Sequence, residues 1–160
     1  HWRRTRAATA ATHGVRVFLI QRDAPPTPGP AEPGGVTGLD HVVIRTPDPV
    51  RAAALYGARL GLDMRLDRSN PAWGTRLMFF RCGDLIVELA HDLRAGVSAG
   101  PDRLWGLCWR TDDPAAALTR LRAAGLDVSE ARPGRKPGTR VFTVRDGTCG
   151  VPTLMLQASG

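Results

Sequence analysis

From residue 38 onward, short apolar runs and Ala-rich stretches follow one another in an order that occurs twice. The apolar runs at 40–45 and 104–110 read as strands, and each leads into an Asp-Pro step. An acid near the cap and a proline in the first turn favour helix initiation. Ala- and Leu-rich helices are therefore predicted over 50–60 and 114–124, closed by Gly61 and Gly125. A strand follows in each half (63–67 and 127–131), then a loop holding Asn70-Pro71 or Pro133-Gly134. Each half ends in a β-hairpin, 75–81 with 85–90 and 139–145 with 151–157. The predicted order is βαβββ, twice.

Direct alignment supports the duplication. HVVIRTPDP at 41–49 matches GLCWRTDDP at 106–114, placing Arg45 on Arg110, Thr46 on Thr111, Asp48 on Asp113 and Pro49 on Pro114. Beyond the helices Gly61-Leu62-Asp63 falls on Gly125-Leu126-Asp127, Gly74-Thr75-Arg76 on Gly138-Thr139-Arg140, and Arg81 on Arg145. The offset drops from 65 to 64 between these blocks, so the second copy is one residue shorter in the helix or its exit. Repeats of this kind fix the fold before any local reading does.

Ahead of the repeat, the β-rich run at 15–21 is followed by DAPPTPGPAEPGG, whose prolines and glycines block both helix and strand. A lone strand must satisfy its amides somewhere. The edge of the following sheet, a second chain, or a domain upstream of this chain each fit that need. The predicted organisation is an extension at 1–37, a first module at 38–99 and a second at 100–160. The chain opens at His1 without a methionine, which fits a piece of a longer or processed protein.

The net charge of +7 is concentrated at the start: residues 1–22 hold Arg3, Arg4, Arg6, Arg16 and Arg22 and no acid. The remaining 17 basic and 15 acidic residues nearly balance, so the folded part carries no basic face of the kind a phosphate backbone requires. Nucleic acid is not an expected partner. The three cysteines, Cys82, Cys108 and Cys149, are odd in number and widely spaced, which points away from a disulfide framework and toward a reducing, cytoplasmic compartment. No apolar run approaches the roughly 18 residues of a membrane span, and no membrane association is expected.

A doubled βαβββ unit that begins GLDHVVIRTPDP and contains the strand LIVELAH resembles the vicinal oxygen chelate superfamily, which includes glyoxalases, extradiol dioxygenases, acyl-CoA epimerases and bleomycin-resistance proteins. The resemblance implies an α+β fold in which two βαβββ modules form a curved half-barrel sheet with helices outside. It implies a homodimer and a small-molecule ligand. It further implies that His41, matching the first-strand histidine, and Glu88, matching the acid of the last strand, hold a divalent ion such as Zn, Mn, Fe or Ni, with Glu88 as ligand or general base. An imidazole with a carboxylate suits such a borderline ion.

The residues themselves leave that chemistry open. A two-residue hairpin turn places Glu88 on one face with Ile86, Ala90, Leu77 and Phe79, and a carboxylate there needs a cation, a donor or water. Arg45 or Arg110 could supply the cation. Cys108 aligns with Val43 and faces the same cavity, and Arg140, beside Arg135 and Lys136, could bind an anionic group. Trp73, Trp105, Trp109, Phe79 and Phe142 read as core or pocket wall. In the second copy His41 falls on Gly106, and Glu88 falls near 153–155, where no acid stands. His91, Cys149 and Gln157 could contribute donors from other positions. Two readings follow: a metal-dependent lyase, isomerase or dioxygenase acting on a small oxygenated metabolite, or a metal-free protein that sequesters a small molecule.

Overall fold

The computed structural model describes residues 2–24, 27, 29 and 32–157; positions 25, 26, 28, 30 and 31 of the linker lie outside the described residues. The chain forms two compact units, one of His1–Gly29, Ile44–Cys82 and Val87–Leu104, the other of Pro30–Val43, Gly83–Ile86 and Trp105–Gly160. The two copies appear as β3 (Gly38–Arg45), α1 (Pro49–Ala53), β4 (Asp63–Asn70), β5 (Thr75–Cys82) and β6 (Leu85–Asp92), then β7 (Arg103–Arg110), α2 (Pro114–Ala123), β8 (Arg132–Pro133), β9 (Arg140–Val144) and β10 (Thr153–Gln157). The α+β class and the repeated strand–helix–strand–strand–strand order are as the sequence predicts.

The repeated Thr-x-Asp-Pro step explains why both helices begin where they do. Asp48 Oδ1 accepts from Arg51 N at 3.0 Å, and Asp113 Oδ1 accepts from Ala115 N and Ala116 N at 3.0 and 2.9 Å. Thr46 Oγ1 accepts from Asp48 N at 3.1 Å, and Thr111 donates its hydroxyl to the backbone carbonyl of Asp113. One orphan N–H group of the first helix and two of the second are thus satisfied by an aspartate that the sequence supplies in both copies.

In the first copy the helix widens after Ala53 into a π-helical stretch, Ala54–Arg59, with Leu60 N donating to Leu55 O at 3.0 Å. A π turn holds one extra residue within a helix. That residue is the one by which the alignment offset falls from 65 to 64. The widened turn includes Gly57, where a Cβ would approach Phe80 Cε1 to 3.2 Å. The missing side chain lets the helix settle on the Phe80 ring.

In the first unit, β5 alternates buried Met78 and Phe80 with half-buried Leu77 and Phe79, and β6 from Val87 onward alternates buried Val87, Leu89 and His91 with half-buried Glu88 and Ala90. The buried set includes Ala52, Leu55 and Tyr56 of the helix. Glu88, Leu77 and Phe79 therefore occupy the less buried face. The run predicted as an orphan strand is not one: β2 (Phe18–Arg22) pairs antiparallel with β1 (Trp2–Arg6), Trp2 opposite Arg22 and Arg6 opposite Phe18. The intervening turn docks on the stretch before β7, where Asp102 N donates to His13 O at 2.7 Å.

In the second unit, β10 lies parallel to β7 and antiparallel to β9, which in turn pairs with the short β8. Its core is Ala117, Leu118, Val128, Phe142, Val144 and Met155, with Trp109 and Leu121 packed on it. The strand predicted at 127–131 is reduced to one bridge, Val128 opposite Val144, plus β8. The reason is local: the Ser129 hydroxyl, rather than a carbonyl, accepts from Thr143 N at 2.9 Å, and Pro133 has no N–H to give. Trp73 and Trp105, read from the sequence as core or pocket wall, are exposed at 49% and 41%. No helix among the described residues is long and apolar enough to cross a membrane.

Tyr56 is the chain's one tyrosine, which makes its burial measurable. Burial, and secondarily the charge of Asp102, push its phenol from 10.0 up to about 12. A tyrosinate absorbance titration is expected to show that raised value in the folded protein and the ordinary one in denaturant. Because the folded value is raised, the stability contributed by the neutral phenol is complete below pH 10 and is lost as pH rises through about 12. A single transition near the ordinary value in the folded protein would contradict the burial of this ring.

Candidate functional site

The second unit brings together one cluster of ligand-type side chains: Asp40 and His41 of β3 and Cys108 of β7 place a carboxylate oxygen, a ring nitrogen and the sulfur all within 4.8 Å of one another. His41 and Cys108 were singled out by the sequence; Asp40 was not. Successive strand residues normally point to opposite faces, so periodicity separates Asp40 from His41. Here their side chains meet, with His41 Nδ1 2.8 Å from Asp40 Oδ1. The His41 and Asp40 side chains are 19% and 26% exposed, and Cys108 is 1% exposed.

The electrostatics of the pair are consistent with its geometry. The hydrogen bond to His41 is the main cause holding the Asp40 carboxyl below the usual carboxylate range, opposed by burial and aided by the charges of His41, Arg110 and Lys136. An ionised carboxylate can only accept, so Nδ1 donates to Asp40 Oδ1. A histidine fixed by a carboxylate in this way is ready to act as a ligand.

Arg110 frames the start of β3. Its Nη2 donates to Leu39 O at 2.9 Å and to Asp84 Oδ2 at 3.2 Å, and its guanidinium packs over Gly38, where a Cβ would come within 3.4 Å. Arg110 Nε is buried with no hydrogen-bond partner among the described residues.

The other residues read from the sequence fall in different places. Glu88 belongs to the first unit, half-buried on β6. Leu77 and Phe79 are half-buried on β5, while Arg45 and Arg140 are exposed. His91 is buried on the opposite face of β6 from Glu88, and its Nδ1 donates to Thr46 O at 3.1 Å, a structural role. Gln157 Nε2 donates to Asp112 O at 3.0 Å, and Cys149 is exposed in a turn at φ 53. Two surface hollows, one lined by Trp2, Ile20, Arg22, Asp23 and Ala24 and the other by residues 143–152, include none of the cluster residues.

The hydrogen bonds also settle how the two copies correspond at their last strands. Thr46 N donates to Ala90 O at 3.0 Å, and Thr111 N donates to Leu156 O at 2.9 Å. With Thr46 equivalent to Thr111, Ala90 is equivalent to Leu156 and Glu88 to Leu154. The second copy thus has leucine where the first has its acid, and Gly106 where the first has its histidine. Gly106 is not merely a lost side chain, because a Cβ there would sit 2.9 Å from Pro152 O.

The donor set of Asp40, His41 and Cys108 fits a divalent transition ion. Imidazole nitrogen, carboxylate oxygen and thiolate sulfur are the three donor types Zn²⁺ takes, and the three atoms already converge.

Comparison with known proteins bears on the same region. A family model described as the Glyoxalase/Bleomycin resistance protein/Dioxygenase superfamily matches residues 40–143. An ethylmalonyl-CoA/methylmalonyl-CoA epimerase of Cereibacter sphaeroides (strain ATCC 17023) is 31% identical over 97 residues, covering 56% of this chain and 72% of that protein. Among solved structures, a methylmalonyl-CoA epimerase from Mycobacterium tuberculosis superposes with a TM-score of 0.64 at 24% identity, over 78% of this chain and 90% of the other. A Streptomyces coelicolor methylmalonyl-CoA epimerase in complex with 2-nitronate-propionyl-CoA gives 0.61 at 21% identity, over 78% and 99%. At these identities the two structures establish the likeness of fold.

Proposed function

Because the chain belongs to the glyoxalase/bleomycin resistance protein/dioxygenase superfamily, we propose that it is an isomerase of small acyl-CoA thioesters that shifts a proton at the carbon next to the thioester carbonyl, assisted by a divalent ion held at His41. What carries the proposal is the convergence of Asp40, His41 and Cys108 in a chain whose curated relative is an epimerase of ethylmalonyl-CoA and methylmalonyl-CoA. His41 and Cys108 would hold the ion, with Asp40 fixing the His41 ring through Nδ1.

Epimerisation removes a proton from one face of the α-carbon and delivers one from solvent to the other. When bound, the ion supplies positive charge for the enolate oxygen that develops on the thioester carbonyl. Asp40 keeps His41 in the tautomer that leaves a lone pair on Nε2. Glu88, the half-buried carboxylate of β6, is the residue that the family resemblance proposes for the proton transfer.

A second reading, sequestration of a small molecule without metal, is favoured by one observation: Gly106 and Leu154 stand where His41 and Glu88 stand in the first copy. One experiment divides the two. The full chain, supplied with Zn²⁺ or Co²⁺, is incubated with methylmalonyl-CoA and ethylmalonyl-CoA in D₂O. Deuterium is expected at the α-carbon, with His41→Ala slowing its entry by about 100-fold or more. Absence of exchange in a metal-loaded chain that still binds the CoA ester would leave the sequestering reading in its place.

A further inference from the structure

We infer that Cys108 is a thiolate ligand, so that the ion beside His41 is held by nitrogen and sulfur donors and the site selects Zn²⁺, Co²⁺ or Cd²⁺ over Mg²⁺ and Mn²⁺. The inference rests on the metal reading above and adds to it the identity of a donor that the first-strand histidine and last-strand acid do not supply.

The argument begins with strand β7. Trp109 packs on the core of the second unit, so Gly106, Cys108 and Arg110 share the opposite face. On that face the second copy offers no histidine, because a side chain at Gly106 would meet Pro152 O. It offers no acid across from Cys108, because the paired residue of β10 is Leu154. Cys108 is the donor this strand pair presents, and its sulfur lies within 4.8 Å of the Asp40 and His41 donor atoms.

A buried cysteine is most often a small hydrophobe. The surroundings of Cys108 depart from that case. Its sulfur stands beside two other ligand-type atoms, and a divalent ion bound there would take it as thiolate, the thiol proton passing to solvent. Thiolate is the soft ligand of the series and biases the site against hard, oxygen-seeking ions.

The test uses the full chain, stripped with chelator and reloaded with Co²⁺ alone. The two exposed cysteines, Cys82 and Cys149, are replaced by serine so that Cys108 is the sole thiol. A near-ultraviolet sulfur-to-cobalt charge-transfer band is expected in wild type and in this double variant, and its absence is expected on adding Cys108→Ser. Zn²⁺ binding should weaken by about 100-fold or more in Cys108→Ser, and Mn²⁺ binding far less. Cobalt bound to the double variant without the band overturns the assignment of Cys108 and leaves the metal reading standing. No cobalt bound at all overturns both. The double variant decides the matter even if Cys108→Ser fails to fold. A band in a chain that does not exchange the α-proton keeps the ligand assignment and rejects the isomerase.

Discussion

Replacing Asp102 with alanine is expected to cost about 3 kcal/mol of folding stability, the range for removing one partner of a buried charged pair. The Asp102 side chain is 0% exposed and that of Arg51 is 22% exposed. The carboxylate accepts from Thr46 Oγ1 at 2.7 Å and from Arg51 Nη2 at 2.9 Å. Both partners sit at the first helix: Thr46 forms the turn that leads into it, and Arg51 lies within its first turn. Arg51 keeps one good acceptor after the change, Gly100 O at 2.7 Å, but its Nε is already without a partner among the described residues.

The thermal midpoint should fall by about 6–12 °C for a chain of this size. Asp102→Asn, which keeps an acceptor and loses the charge, should cost about 1–2 kcal/mol. The same substitution should lower the Tyr56 titration from its value near 12 while leaving it above 10.0, because Asp102's charge is the smaller of the two causes raising it. A midpoint for Asp102→Ala within 2 °C or so of wild type would show that the node contributes little net stability. That outcome is physically allowed, since Asp102 Oδ2 has no partner among the described residues and burial of the charge is costly.

This node also shows what a sequence carries and what it withholds. The Thr-x-Asp-Pro steps were legible because capping is local: Asp48 and Asp113 reach N–H groups two or three residues away. The one-residue change of offset was legible as a number, and the π turn over Ala54–Arg59 gives it a physical form. Asp102 as the partner of Thr46, 56 residues earlier, leaves no local trace. Nor does the pairing of β2 with Trp2–Arg6, since WRRTR has no apolar alternation and the contact runs through the backbone.

The candidate site divides in the same way. Alignment with Val43 put Cys108 on a cavity-facing position, but how β7 stands against β3 is set by pairing between strands, which spacing does not encode. Asp40 is not legible beside His41, because strand alternation sends it to the other face and a side chain that bends back across one residue breaks that rule. The pairing of His41 with Glu88 came from the resemblance. Glu88's role stays within the proposed function, while Asp40 and Cys108 are the neighbours that the structure gives His41.

Asp40→Asn is accordingly expected to weaken binding of Zn²⁺ or Co²⁺ by about 10–100-fold, the usual effect of removing a carboxylate that orients a ligating histidine. The asparagine can still accept from Nδ1, but it brings no negative charge to raise the basicity of the ring or to fix its tautomer. Competition against a chromophoric chelator measures the affinity. The ¹⁵N spectrum of the His41 ring reads the tautomer, which a purely structural role for Asp40 would leave unmoved. The direction of the Asp40 shift also limits how the site responds to acid. Its carboxyl is held below the ordinary 3.8, so the contact's contribution is present above that pH and disappears only as pH falls through the lowered value. If Asp40→Asn binds the ion within about twofold of wild type and leaves the ring tautomer unchanged, then Asp40 neither orients His41 nor ligates, and the site reduces to His41 and Cys108.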